Sequence, residues 1–310
     1  MNSHHPPTDP AAAPAPPAGK CPYTATKNAV ARLFGFGGAA APATDAGSPH
    51  THPSATAHGE HAAHGSAAHG PAPATATPHA PPAGLHDALK TRTWPLHQQA
   101  EHHPFQAAIM RGSVPRRGYI AQLEQTLLVH QALEGHLAAL RHSVPAIGAM
   151  VRDYHFRVPH ARADLAVLGG NTFPVPLSPT QSLIAEINAA AMNRPHALVG
   201  YFYVLEGSTN GAKFIAKALA RALNITDGQG LSYQDPHGDQ QRSRWAEFKA
   251  SLNTLGLSPA QEGEVVEAAT SLFAWNVALF DLLAARFPIT DAPAIEVPAR
   301  HAQGAAPATA

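Results

Sequence analysis

The sequence predicts an all-α fold for a single domain of about 205 residues, spanning 84–288, and three observations carry that prediction. Apolar residues recur at three- and four-residue spacing over long stretches, two segments carry helix-start signatures, and no useful period-two run of β-branched residues occurs. The two ends read differently. Residues 1–83 are rich in Ala, Pro, Gly, Thr and His and poor in large apolar side chains, a composition that cannot offset the entropy of ordering, so a disordered tail is expected there. One island, Thr24 to Phe36, could set Ala29, Val30, Leu33 and Phe34 on one side of a short helix. Residues 289–310 return to Ala and Pro and are expected to form a second tail.

The elements follow in chain order. A helix is expected near 86–103, then one over 116–142, where Leu123, Leu127, His130, Leu133, Leu137 and Leu140 form an apolar stripe. Further helices are expected at 146–155, 180–192, 196–223 and 240–254. Ser178-Pro179-Thr180-Gln181 and Ser258-Pro259-Ala260-Gln261 each offer a hydroxyl N-cap, a proline at the first helical position and a glutamine to close a capping box. After the second, Val265, Ala269, Leu272, Phe273, Asn276, Phe280 and Leu283 mark a long amphipathic helix. Such a set is ample for one core with a pocket between helices.

Composition narrows the function. Lys and Arg (21) balance Asp and Glu (21), so no overall field draws the chain to nucleic acid or to an anionic membrane, and a small molecule is the expected partner. No run of eighteen apolar residues and no basic segment leading into an apolar one is present, so neither a span nor a secretory signal is expected and the cytoplasm is the expected address. The single cysteine, Cys21, rules out an internal disulfide framework.

Two segments carry chemistry. In the first, Leu89 through Glu101, His97 and Glu101 stand four apart and share a helix face, so the carboxylate could hold one ring nitrogen and leave the other for a metal. Lys90 lies two turns before His97 on that face, placed to meet an anionic group on a ligand that His97 touches. An ordinary surface helix with a His/Glu pair fits the same spacing. Pro95 removes a backbone donor, so this helix is expected either to begin later or to bend. In the second segment, Gly200 through Lys213, Gly207 and Gly211 stand one turn apart beside Ser208 and Ala212 in an otherwise helical stretch. Each glycine costs a helix about 1 kcal/mol relative to alanine, so a compensating close approach is expected, either of a flat ligand or of another helix.

Together the segments resemble the haem oxygenase family. Leu89-Lys90-x-x-Thr93-x-x-x-His97-x-x-x-Glu101 is similar to the family's proximal pattern, and Tyr203-Val204-Leu205-Glu206-Gly207-Ser208 through Gly211-Ala212 to its bacterial distal helix. The likeness continues through Phe248-Lys249, Leu252-Asn253, Leu257-Ser258-Pro259 and Leu272-Phe273-Ala274-Trp275-Asn276. The resemblance implies haem sandwiched between two helices, as both cofactor and substrate. It makes His97 the iron ligand supported by Glu101, sets Gly207, Ser208, Asn210 and Gly211 on the oxygen-binding side, and makes Lys90, Tyr203 and Lys249 further haem-binding residues, the two lysines toward the propionates. It implies cleavage of haem to biliverdin, carbon monoxide and iron with dioxygen and electrons from an external reductase or ferredoxin-like donor, in a monomer. Ser208 stands where many members carry aspartate, and Asn210 where the bacterial pattern is usually aliphatic. A non-catalytic haem carrier or sensor on the same fold is the alternative, and a di-iron helical protein, using pairs such as His130 and Glu134 on facing helices, is a third class. Otherwise His130 reads as a hydrogen-bonded core histidine.

In the N-terminal tail, Cys21-Pro22 matches a short haem regulatory motif, and His50, His52, His58, His61, His64, His69 and His79, with His86 just beyond the tail, could gather metal or haem.

Overall fold

The computed structural model describes residues 84–289, which form nine α-helices and three single 3₁₀ turns with no strand among them. The helices are α1 (Leu85–His102), α2 (Pro104–Arg111), α3 (Arg116–Leu140), α4 (Pro145–Met150), α5 (Val158–Leu168), α6 (Ser178–Asn193), α7 (Leu198–Ala222), α8 (Gln241–Leu252) and α9 (Pro259–Arg286). The all-α expectation is met. The Thr24–Phe36 island, the Cys21-Pro22 motif, the histidines from His50 to His79 and the C-terminal segment from 290 lie outside the described residues.

Helix α9 organises the bundle because its buried stripe, which includes Val265, Ala269, Leu272, Phe273, Leu279, Phe280 and Leu283, faces both α1 and α7. By length and composition alone this helix could cross a membrane, which the sequence reading did not credit; here that apolar surface supplies core. Burying a leucine such as Leu272 contributes about 1.5–3 kcal/mol, and truncating it to alanine costs about 2–5 kcal/mol. Gly200 sets the closest approach, since a Cβ there would fall 2.0 Å from the Val265 carbonyl oxygen. The backbones of α7 and α9 touch at this point.

The Ser258 capping box forms as predicted, with Ser258 Oγ accepting from the Gln261 amide (3.4 Å) and Gln261 Oε1 accepting from the Ser258 amide (2.9 Å). The one expected at Ser178 does not. Gln125 holds the Leu177 amide at 2.8 Å and donates to the Val175 carbonyl at 3.2 Å, which fixes the incoming chain so that Leu177 becomes the N-cap and Ser178 the first helical residue. The helix expected over 146–155 ends at Met150. Val151 is extended, and His155 Nδ1 accepts the Arg152 amide in a separate 3₁₀ turn, a side-chain bond that competes with helix continuation. Helices α2 and α5 were not foreseen. Pro95 does not delay α1, which begins ten residues earlier; its missing donor would leave the carbonyl of Thr91, and both residues are exposed, so water can serve that oxygen.

Candidate functional site

His97 lies on the buried face of α1 with Leu85, Leu89 and Thr93. Its ring stacks on Trp94 (centroids 5.4 Å apart, planes 10° apart) and meets Phe273 of α9 edge-on at 5.7 Å. Burial pushes its pKa down to about 4, so at neutral pH the imidazole is uncharged and able to donate a lone pair. Glu101 Oε2 stands 3.7 Å from Nδ1, an electrostatic contact rather than a hydrogen bond. The sequence-predicted pair is therefore brought together on one face.

On α7 the glycines meet different surroundings. A Cβ on Gly207 would come within 3.4 Å of the Trp245 indole, so the ring of this α8 residue lies over the bare helix at that point. Gly211 is buried. Ser208 is exposed and its hydroxyl donates to the Leu205 carbonyl at 2.6 Å. Asn210 donates to the Gly207 carbonyl at 2.9 Å and accepts from Gln241 at 3.2 Å, while Gln241 also donates to Thr209 at 2.7 Å. The amide of Asn210 is thus tied to its own helix and to the start of α8.

Tyr203 and Lys249 come together around Trp245. The Tyr203 and Trp245 rings are 5.9 Å apart and Lys249 Nζ lies 5.9 Å from the indole. His86 meets both rings edge-on, at 6.1 and 6.3 Å. Its pKa is held down first by burial and then by the charge of Lys249, with Lys90 contributing in the same direction, which places both predicted lysines within electrostatic reach of one imidazole. The Tyr203 hydroxyl and the Trp245 indole N–H are buried without a hydrogen-bond partner among the described residues. Buried donors beside cationic side chains suit a carboxylate, and haem carries two.

Behind α7 stands a buried polar network that the sequence reading did not assemble. Glu206, 1% exposed, accepts from His237 Nε2 at 2.8 Å, and His237 Nδ1 accepts from Arg244 at 3.0 Å. Burial alone would raise the Glu206 pKa; the His237 bond and nearby positive groups reverse the effect and hold it below the usual carboxylate value. His130 and Glu134 of α3, once considered for facing helices, lie on one helix and bond each other at 2.7 Å. Arg157 completes the network. Among the described residues, no group of three or more His, Cys, Asp or Glu side chains could hold a metal. The overlooked signal was Glu206 itself, a charged residue closing the apolar run Leu198–Leu205.

A model of the Heme oxygenase family matches residues 83–281. Heme oxygenase 1 of Homo sapiens is 24% identical over 212 residues, 66% of this chain and 74% of that protein. Heme oxygenase 1 of Synechocystis sp. is 23% identical over 199 residues, 63% of this chain and 82% of that protein. Among solved structures, heme oxygenase-1 of Synechocystis in complex with heme aligns with a TM-score of 0.62 at 21% identity, covering 66% of this chain and 93% of that one. The heme oxygenase of Leptospira interrogans aligns at 0.61 and 22% identity, covering 64% and 99%. The structures carry the fold, and the family model, which spans more than half of the sequence, carries the membership: this chain belongs to the haem oxygenase family.

Proposed function

We propose that the chain is a haem oxygenase that converts haem to biliverdin, carbon monoxide and free iron, with His97 as the iron ligand. The observation that carries this reading is the state of His97, a buried and uncharged imidazole held between Trp94 and Phe273 with Glu101 beside Nδ1; in this reading Nε2 is the nitrogen that would bind the iron. Haem, when bound, supplies an iron that activates dioxygen against a meso carbon of the same macrocycle. The protein's task is to bind, orient and shield. Lys90, Lys249 and Tyr203, with the Trp245 indole, take the propionates and so fix the rotation of the ring. Gly207 and Gly211 add no side chain of their own to the opposite face, where the Trp245 indole packs against Gly207, Ser208 offers a hydroxyl there, and Asn210, anchored through Gln241, keeps its amide from filling that space. Electrons come from a separate reductase or ferredoxin-like donor, and the enzyme works as a cytoplasmic monomer whose catalytic unit is 84–288.

The test is reconstitution with haem followed by an electron source in air. Loss of the Soret band with appearance of biliverdin and carbon monoxide in equal amounts is expected. A haem complex that persists while reductant is consumed would assign the chain to haem carriage or sensing.

A further inference from the structure

Arg157, in the turn before α5, is 2% exposed, and its surroundings account for the cost of burying a guanidinium. Its Cζ sits 4.5 Å over the Tyr233 ring. Nη2 donates to the Leu205 carbonyl at 2.8 Å, lies 3.3 Å from His130 Nε2 and reaches Ser208 Oγ at 3.5 Å. Glu134 grips the same segment from below, accepting from the backbone amides of Arg157 (2.7 Å) and Val158 (3.2 Å) and bonding His130 Nδ1. With Nδ1 donating to a carboxylate, neutral His130 presents Nε2 as an acceptor toward Arg157 and the Tyr233 hydroxyl (3.0 Å). Burial, and next the charge of Arg157, hold the His130 pKa down, which agrees with that tautomer. The guanidinium is therefore seated from below and aimed at α7.

We propose that Arg157 is a positioning residue of the glycine-rich helix: it fixes the direction of the Ser208 hydroxyl and places a buried positive charge behind it. A serine hydroxyl has one proton and two lone pairs. A cation next to Oγ forbids the proton from pointing toward it, and the Leu205 carbonyl, 2.6 Å away, takes that proton. Ser208 is left as a hydrogen-bond acceptor on its exposed side, so it orders a proton-bearing water or ligand group and does not itself supply the proton. Arg157 also bonds the Leu205 carbonyl directly, which pins the helix just before Gly207. This role rests on the haem oxygenase reading, because it gives the exposed side of Ser208 its substrate.

The test uses the full chain loaded with haem, comparing the parent with Arg157→Met and Arg157→Lys. The first readout needs no turnover: the infrared C–O stretch of the ferrous carbon monoxide complex senses potential and hydrogen-bond order on the open face. In Arg157→Met the Soret band is retained, the C–O band shifts to higher frequency and broadens, and biliverdin formed per electron pair falls roughly tenfold, less than the 10²–10³ lost with a direct donor. Arg157→Lys, which restores charge without the planar fork, recovers part of the shift. A purely structural role predicts a lower melting temperature with the C–O band unmoved, and that result would overturn the proposal. If Arg157→Met does not fold, Arg157→Gln, which keeps a polar side chain without the charge, decides in its place, since an unchanged band position and width in that variant would equally overturn it. Failure of the parent to form biliverdin would overturn the enzymatic reading, whereas the infrared comparison judges Arg157 by itself.

Discussion

Two buried imidazoles in this bundle each precede a glutamate by four residues on one helix, and their surroundings give them opposite characters. His130 has both nitrogens engaged, Nδ1 by Glu134 and Nε2 by Tyr233 and Arg157, so it is an internal strut. His97 is packed between two aromatic rings, with Glu101 at 3.7 Å and partly exposed. The same His-x-x-x-Glu spacing builds a direct core hydrogen bond in α3 and a longer contact beside two aromatic rings in α1. Spacing brings the groups together; the neighbouring elements decide what they do.

The comparison can be broken most forcefully at the carboxylates. Glu134→Ala leaves three donors without their acceptor, the ring of His130 and the amides of Arg157 and Val158, and is expected to cost about 3–5 kcal/mol, or roughly 10 °C in melting temperature. Glu101→Ala, removing a longer contact near solvent, is expected to cost less than about 1 kcal/mol in the haem-free protein. Equal losses in paired thermal melts would show that the two pairs do not differ as described.

Gly211→Leu sharpens the comparison on the opposite helix. If the bare strip of α7 faces haem, biliverdin yield in a single turnover should fall about hundredfold, equivalent to about 2.7 kcal/mol, while haem affinity survives. Overpacking costs about 1–3 kcal/mol of stability, so the variant should still fold. Normal yield with a depressed melting temperature would assign Gly211 to helix packing, the role that Gly200 fills against Val265.

His155 provides a smaller, pH-dependent effect. Burial pushes its pKa down to about 4, against about 6.5 in the unfolded chain. Between these values the unfolded chain binds a proton that the native state refuses, so stability falls as pH drops from about 6.5 to about 4 and His155 adds nothing further below that. His155→Phe should remove about 2 kcal/mol of this acid sensitivity, read from urea melts at pH 7 and pH 4.5. An identical loss of stability in parent and variant would exclude His155 as a source.

Much of this was legible in the sequence. Helices α3, α7 and α9 declare themselves because long apolar stripes repeat over several turns, and the box at Ser258 needs only local residues. Helix α2 was missed although Pro104 and the left-handed Gly112 bracket it, because eight residues are too few to show a period. The absent box at Ser178 depends on Gln125, more than fifty residues away, which no local pattern reveals. In the site, His97 and the glycines stood out as residue types with a cost. Arg157, His155 and His237 did not, since their roles arise where α3, α5, α7 and the segment before α8 converge. The position of Trp245 over Gly207 required the fold.

The most direct test of the difference between the two histidines is haem titration of His97→Ala and His130→Gln followed by absorption and electron paramagnetic resonance. We predict that His97→Ala loses the histidine-ligated ferric signature and its turnover, that added imidazole restores part of both, and that His130→Gln keeps the parent signature. An unchanged spectrum in His97→Ala, or loss of histidine ligation in His130→Gln alone, would contradict the assignment of His97 as the iron ligand.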